Sequence, residues 1–74
     1  MDSLKSYKGY KVNDSISYLG EKAVIRSMNK GIYRDDVMFN LLVYSDNGTR
    51  RVVRQVLAFR DGKKTDLIKR IITF

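Results

Sequence analysis

The chain contains no cysteine, no histidine, no tryptophan and no proline among its 74 residues. Without cysteine it can form neither a disulfide nor a thiolate nucleophile, and without cysteine or histidine it lacks the usual ligands for zinc. The absence of histidine also removes the commonest general base near neutral pH. A hydrolytic enzyme would have to rely on Asp, Glu, Lys, Ser or Tyr alone. We therefore expect no enzyme, no cofactor and no metal.

Carboxylates are also scarce. Glu21 is the one glutamate, and Asp35 and Asp36 form the one adjacent acidic pair. Adjacent side chains in an extended loop point apart, and neither Glu nor His stands nearby to complete a catalytic or metal site. We interpret the pair as a solvated loop that pairs with Arg34.

Long hydrophobic runs are missing as well. The longest, Leu41 to Tyr44 and Val56 to Phe59, are far too short to cross a bilayer. Residues 1–6 lack the apolar core of a signal peptide. The sequence therefore predicts a cytoplasmic protein with no membrane association.

What the chain does have is positive charge, with 15 Lys and Arg residues against 8 acids and a formal net charge of +7. Most of this charge falls between residues 50 and 70, where Asp61 and Asp66 are the only acids. The cations of this segment are Arg50, Arg51, Arg54, Arg60, Lys63, Lys64, Lys69 and Arg70. Charge concentrated in this way on a small domain is typical of a surface that meets a polyanion.

The length and composition predict one small globular domain. Hydrophobic residues make up 43% and charged residues 31% of the chain, which is not the composition of a disordered protein. At this size folding buries only about 60% of the unfolded surface, so the core must be small. Residues 1–9 are polar and are predicted to form a flexible N-terminal arm, and residues 10–74 to form the single domain.

Alternating apolar and polar residues predict several short strands. The first contains Val12, Ile16 and Tyr18 and ends near Gly20, and a second covers 23–28. A third covers 37–44, where both faces are mostly apolar, which is typical of a central strand. The sequence from Ser45 to Gly48 predicts a hairpin, after which residues 49–54 return antiparallel.

Beyond Arg54 the pattern allows two interpretations. A strand would place Arg50, Arg54 and Arg60 on one face, together with Val56 and Ala58. A helix would instead collect an apolar stripe of Val52, Val53, Val56 and Leu57. The β-branched residues and the preceding hairpin favour the strand.

The last residues are ambiguous in the same way. Asp61 and Gly62 predict a tight turn, and Thr65 and Asp66 can cap a short helical turn before a final strand. The alternative is a helix over 65–73 that packs on a three- or four-stranded antiparallel sheet, which would make the fold α+β. We favour the short turn followed by a strand.

These patterns together resemble the small SH3-like barrel, a group that includes KOW and Tudor-type domains. The resemblance rests on residues 11–20, on 23–25, on the turn at Asp46-Asn47-Gly48 and on 65–67. It implies a mainly β, five-stranded barrel with a short helical turn before the last strand, and a binding module for nucleic acid or peptide with no chemistry of its own. KOW-type domains commonly have glycine where Ala23 stands, which leaves the subfamily open, and an OB-fold has a similar pattern.

The leading hypothesis is a small nucleic-acid-binding protein, accessory or regulatory, that contacts the phosphate backbone through the eight cations of residues 50–70. Guanidinium groups suit this role because each can donate two hydrogen bonds to one phosphate. Tyr33, beside Arg34, is the best candidate to stack on an unpaired base. The alternative is a protein-interaction module or inhibitor that docks an acidic surface of a larger protein. The same charge could also simply keep the surface solvated or protect an edge strand, and the sequence leaves the oligomeric state and the choice of DNA or RNA open.

Overall fold

The fold is mainly β, as the sequence predicts. The computed structural model describes residues 3–32 and 35–71, and within these ranges it contains nine strands and no helix. The strands are Ser3–Leu4 (β1), Ser6–Tyr7 (β2), Tyr10–Lys11 (β3), Ser15–Tyr18 (β4), Glu21–Lys30 (β5), Val37–Tyr44 (β6), Arg50–Arg60 (β7), Lys63–Lys64 (β8) and Ile68–Arg70 (β9). Since the described ranges hold no helix, they also hold none that is long and apolar enough to pass through a bilayer.

Strands β4 to β7 form an antiparallel meander, and β9 returns to lie beside β4. The resulting strand order is β8-β7-β6-β5-β4-β9. Strand β1 pairs with the second half of β5, and β2 and β3 form a separate two-stranded ribbon. Within the described ranges no pairing connects β9 to β7 or β8, so the hydrogen-bonded sheet has two ends.

Two-residue turns of one type connect three of the strand pairs. Both residues of each turn have positive φ, which matches the strand twist of type I′ hairpins. The turns are Lys8-Gly9 (φ 47° and 87°), Leu19-Gly20 (50° and 86°) and Asp61-Gly62 (54° and 83°). The predicted hairpin at Ser45 to Gly48 is also present, and the Gly48 N–H donates to the Ser45 carbonyl at 2.9 Å.

Strand β6 is the centre of the sheet. Its residues alternate strictly between buried and half-buried, and Val37, Phe39, Leu41 and Val43 are fully buried. The opposite face is only half-buried although it carries Met38, Leu42 and Tyr44. The sequence prediction of a central strand with apolar residues on both faces is confirmed.

An aromatic cluster packs against one end of this core. Tyr10 is 4% exposed and contacts Phe39 and Phe59, with ring centroids 6.0 Å and 5.8 Å away. Tyr7 meets Phe59 edge-on at 4.9 Å. The ribbon β2–β3 therefore covers the core, and the described part of the predicted N-terminal arm, residues 3–9, contributes strands and packing to the fold.

Strand β7 follows the strand interpretation but departs from simple alternation. Val53, Val56 and Phe59 face Leu41, Phe39 and Val37, so three residues of β7 match every two of β6. Two irregularities in the pairing produce this spacing, and Gln55 adopts φ 59° in one of them. The prediction that Val56 and Ala58 share a face with the arginines is therefore wrong, since each bulge adds a residue and both side chains are buried.

The predicted helical turn at Thr65 and Asp66 is wrong, and so is the alternative helix over 65–73 as far as the described residues extend. The Thr65 hydroxyl donates to the Leu57 carbonyl at 2.7 Å, and the Thr65 N–H donates to the Ala58 carbonyl at 2.9 Å. Thr65 thus bonds across to β7, not to its own segment as a helix cap would. A short turn leads instead directly into β9, and residues 72–74 lie outside the described ranges.

Candidate nucleic-acid interface

The structure divides the eight predicted cations into those that bind the protein's own groups and those that do not. Arg51 belongs to the first group. It lies beside Val43 at the end of the buried face, where its guanidinium donates to the Glu21 carboxylate at 2.6 Å and to the Ser45 hydroxyl at 3.2 Å. Arg51 therefore links β7 to β5, the two strands on either side of β6.

This ion pair shifts the pKa values of both partners. The pKa of the Glu21 carboxyl lies below its ordinary value of 4.5, first because Arg51 donates hydrogen bonds to it and further because the two charges attract, while desolvation opposes the shift. The pKa of Arg51 is raised, chiefly by the same hydrogen bond. The two side chains remain 47% and 32% exposed, so solvent screens the interaction.

Arg70 and Lys64 are engaged in a similar way. The Arg70 guanidinium lies 4.2 Å from the centre of the Tyr10 ring and donates to the Gly9 carbonyl at 2.9 Å. Gly9 has φ 87°, which favours glycine, and a Cβ there would stand 2.7 Å from this guanidinium, so the Arg70 side chain would have to shift. The Lys64 ammonium donates to the carbonyls of Thr65 and Ile68. Both cations stabilise the fold around β9.

The side chains of four predicted cations, Arg54, Arg60, Lys63 and Lys69, are exposed and form no hydrogen bond or ion pair with any other residue in the described ranges. Arg60 and Lys63 face each other across the Asp61-Gly62 turn. Lys8 joins them there, since its ammonium donates to the Gly62 carbonyl at 2.7 Å. These residues form a small basic cluster at one turn.

Arg50 lies on the solvent face of the sheet and marks a second, larger site. Its guanidinium is 5.8 Å from the centre of the Tyr44 ring, and the Lys22 ammonium is 5.9 Å from the same ring. Both distances are in the range of cation–π attraction. Tyr44 thus lies between two cations contributed by the neighbouring strands.

The strand register extends this arrangement across five strands. Directly paired residues form a single transverse line, which we call the outer row: Lys69, Ser17, Lys22, Tyr44 and Arg50. Successive members lie on β9, β4, β5, β6 and β7. With strands about 4.8 Å apart, the row spans roughly 19 Å.

The outer row faces solvent because the adjacent line of paired residues faces the core. In that line Ile16, Ala23 and Val43 are at most 1% exposed, and side chains alternate between faces along each strand. Lys22, Arg50 and Lys69 are all exposed, and none of them forms an ion pair with another described residue. The row therefore presents on one face three cations that lack an ion-pair partner among the described residues.

An apolar strip runs beside the outer row. Val24, Leu42 and Val52 are paired across β5, β6 and β7, two residues along each strand from Lys22, Tyr44 and Arg50. Val24 and Leu42 are half-buried and Val52 is 53% exposed. The solvent face therefore combines positive charge with apolar surface.

A shallow cleft of about 390 Å³ lies at the β9 end of the row and is lined by Ser17, Leu19, Gly20, Asp66 and Lys69. Asp66 is the one acid of this lining. It places a negative charge near Lys69, so we expect the β5–β7 end of the row, around Tyr44, to attract anions more strongly than the β9 end.

The acidic pair Asp35 and Asp36 contacts the Asp61-Gly62 turn. The Asp36 carboxylate accepts a hydrogen bond from the Asp61 N–H at 2.9 Å. Across the ranges 3–32 and 35–71, no group of three or more Asp, Glu, His or Cys residues is placed to hold a metal ion.

Sequence reasoning missed part of the row. Lys22 was not distinguished from the other lysines, and Ser17 carried no signal, because both join the row only through strand register. Tyr44 could be recognised only as an aromatic at the end of a strand. Tyr33 and Arg34 lie outside the described ranges, so the stacking site proposed there stays a prediction.

No protein-family model, no curated protein and no solved structure matches this chain. Any functional conclusion must therefore come from the chain's own residues.

Proposed function

We propose that the protein is a small basic nucleic-acid-binding module, accessory or regulatory and without enzymatic activity, that contacts the phosphate backbone through the outer row and the neighbouring Arg54. The observation that carries this proposal is the alignment of Lys22, Arg50 and Lys69 on one solvent face with no ion-pair partner among the described residues. Unpaired cations can release the counterions of a polyanion, which is the main source of sequence-independent affinity.

The strand order supports the finer part of the fold proposal, a small SH3-like barrel. Strand β9 reaches β4, the first strand of the meander, and the bulges of β7 favour a strongly curved sheet. A fold of this kind hosts many functions, so the functional proposal depends on the row and not on the fold. A cytoplasmic location is part of the same proposal.

If the row contacts phosphates, the binding constant should depend on salt concentration in a way that can be calculated. If Lys22, Arg50, Arg54 and Lys69 each neutralise one phosphate, the logarithm of the binding constant should fall against the logarithm of salt concentration with a slope of about −3.6 on duplex DNA, or about −2.8 on single strands. Arg51, Lys64 and Arg70 should add little to the slope, because their side chains are engaged within the protein.

The test compares two double variants of equal charge by fluorescence anisotropy with labelled 20-mers between 50 and 300 mM salt. Lys22→Gln with Arg50→Gln should weaken binding and reduce the magnitude of the slope by about 2, since each lost phosphate contact contributes about 1. Lys5→Gln with Lys11→Gln removes the same charge from exposed positions outside the row and should retain the wild-type slope. Equal losses in both variants would show that the row is not the binding surface.

A second candidate function, docking of an acidic protein segment, is favoured by one feature of β7. Strand β8 pairs only with Phe59 and Arg60, so among residues 3–32 and 35–71 the segment of β7 from Arg50 to Val56 has a partner strand on one side only. An extended peptide can add to such an edge as a further strand, and nearby arginines would favour an acidic one. A stoichiometric protein partner that persists after nuclease treatment, together with no oligonucleotide binding, would favour this candidate over the first.

A further inference from the structure

We propose that the ligand of the outer row is a single-stranded nucleic acid whose bases lie on the Tyr44 ring and the apolar strip while its phosphates meet Lys22, Arg50 and Lys69. This inference rests on the proposed function and specifies the ligand class at the same site.

The apolar strip is the first argument. Val24, Leu42 and Val52 lie two residues along their strands from the row, a distance of about 6.8 Å. A duplex encloses its base faces in the stack and presents phosphates and groove edges. An unpaired strand presents phosphates and apolar base faces together, so it matches a surface on which cations and apolar side chains run side by side.

The position of Tyr44 is the second argument. Tyr44 is half-buried and lies between Lys22 and Arg50 in the row, with the Lys22 ammonium and the Arg50 guanidinium each within 6 Å of the centre of its ring. A base stacked on this ring would bring its own phosphate into the reach of both cations. A guanidinium can also stack on a base, so Arg50 could contribute by either route.

The width of the row is the third argument. The major groove of B-DNA is about 12 Å wide and admits a helix or a two-stranded ribbon, whereas the row crosses five strands and spans roughly 19 Å. The sheet face therefore cannot enter the groove. Against a duplex it could meet only the phosphate backbone, which would leave Val52 and Leu42 without a matching surface.

The decisive measurement uses the wild-type protein and needs no variant. A labelled single-stranded 12-mer is competed with the same unlabelled strand, with its duplex and with a strand of equal length that has abasic sugars in place of nucleosides. We expect the unlabelled single strand to compete at least tenfold better than the duplex or the abasic strand. The abasic strand has the same backbone length as the single strand and the duplex has two such backbones, so weaker competition by either one reflects base faces that are missing or enclosed in the stack.

Two variants locate the stacking. Tyr44→Leu keeps apolar bulk on β6 but removes the aromatic face, and it should weaken single-strand binding by roughly 5- to 150-fold, the range that one stacked base contributes. Tyr44→Phe keeps the ring and should bind as the wild type does. Circular dichroism on both variants verifies that the sheet is retained.

Each outcome bears on a different claim. If duplex, single strand and abasic strand compete equally, while Lys22→Gln with Arg50→Gln weakens all three, the single-strand inference is overturned and the proposed function stands. If the single strand competes better than the duplex and the abasic strand but Tyr44→Leu binds it as tightly as the wild type does, the stacking role of Tyr44 is overturned. If no oligonucleotide binds at all, the proposed function fails together with the inference.

Discussion

Arg50 and Arg51 show how neighbouring residues of the same type acquire different roles. Arg50 and Arg51 are adjacent in the sequence, but strand alternation places Arg50 beside Tyr44 on the solvent face and Arg51 beside Val43 on the core face. The sequence could predict that alternation separates them. It could not predict that Arg51 would form an ion pair with Glu21, 30 residues earlier, because that contact depends on the register of three strands.

The lowered pKa of Glu21 makes the contribution of this pair depend on pH. A carboxyl whose pKa is lower in the folded than in the unfolded state stabilises the fold above its ordinary pKa of 4.5, and the contribution is lost as pH falls through the folded-state value. We therefore expect Glu21→Gln to lower the urea midpoint at pH 7. The difference from wild type should shrink as the pH is lowered below 4.5.

The matched control is the same substitution in an Arg51→Gln background, where the partner is already missing. There Glu21→Gln should change the midpoint little at any pH, because no ion pair remains to be lost. If Glu21→Gln still lowers the urea midpoint in the Arg51→Gln background, by an amount that does not depend on pH, the effect of Glu21 is one of packing and not of the ion pair.

At the scale of elements, a hydrogen-bonded link crosses the sheet where two strands bulge. The Asn40 side chain donates to the Ser27 hydroxyl at 2.7 Å and accepts from the Gln55 N–H at 2.9 Å. The pairing of β5 shifts register between Ile25 and Ser27, and that of β7 shifts beside Gln55. One amide on β6 therefore stabilises irregularities in both neighbours.

Gln55 is the residue on which this irregularity can be tested. Gln55 has φ 59°, a conformation that strains a residue with a Cβ by roughly 1–2 kcal/mol in the folded state. Glycine avoids this strain but increases the conformational entropy of the unfolded chain, which lowers stability by about 0.4–1 kcal/mol. Gln55→Gly should therefore raise the free energy of unfolding by a few tenths to about 1 kcal/mol. Arg54→Gly, at the adjacent exposed residue, should lower it by about 0.5–1 kcal/mol. Urea unfolding of the two variants gives the comparison directly.

The bulges also explain why the sequence could predict strand β7 but not which of its side chains are buried. The hairpin at Ser45 to Gly48, the strand itself and its apolar content followed from turn chemistry and β-branched residues. The core positions Val53, Val56 and Phe59 recur every three residues, a spacing between that of a strand and that of a helix, which is why both interpretations fitted. A bulge is hard to predict from the sequence when its positive-φ position, where glycine is often found, holds a residue such as Gln55.

At the scale of the whole molecule, the structure brings the Lys8-Gly9 turn close to Gly62 and Arg70. The Lys8 ammonium bonds the Gly62 carbonyl, and the Arg70 guanidinium bonds the Gly9 carbonyl. The charge of residues 50–70 was evident from the sequence, but its distribution was not. The outer row takes members from five strands, and only Arg50 and Lys69 come from that segment.

Packing of β9 beside β4 should be a large contribution to stability. Ile68 is fully buried and pairs with Tyr18, so Ile68→Ala should cost about 2–5 kcal/mol of unfolding free energy through lost contacts and the cavity left behind. Ile71, three residues later, is 42% exposed, and Ile71→Ala should change the free energy by no more than about 0.5 kcal/mol. Equal effects at the two sites would show that β9 is not closed onto the core in solution.

The pairing of β9 with β4 also has a consequence for synthesis of the chain. Some 50 residues separate Tyr18 from its partner Ile68, and at about 5–20 residues per second their translation takes roughly 2.5–10 s. Once β5 has been made it can pair with one side of β4, but until β9 follows, the other edge of β4 stays bare, next to the uncovered side chain of Ile16. A nascent chain is thus open to pairing with a neighbouring one for seconds, and crowded polysomes are where this protein should be most prone to aggregate.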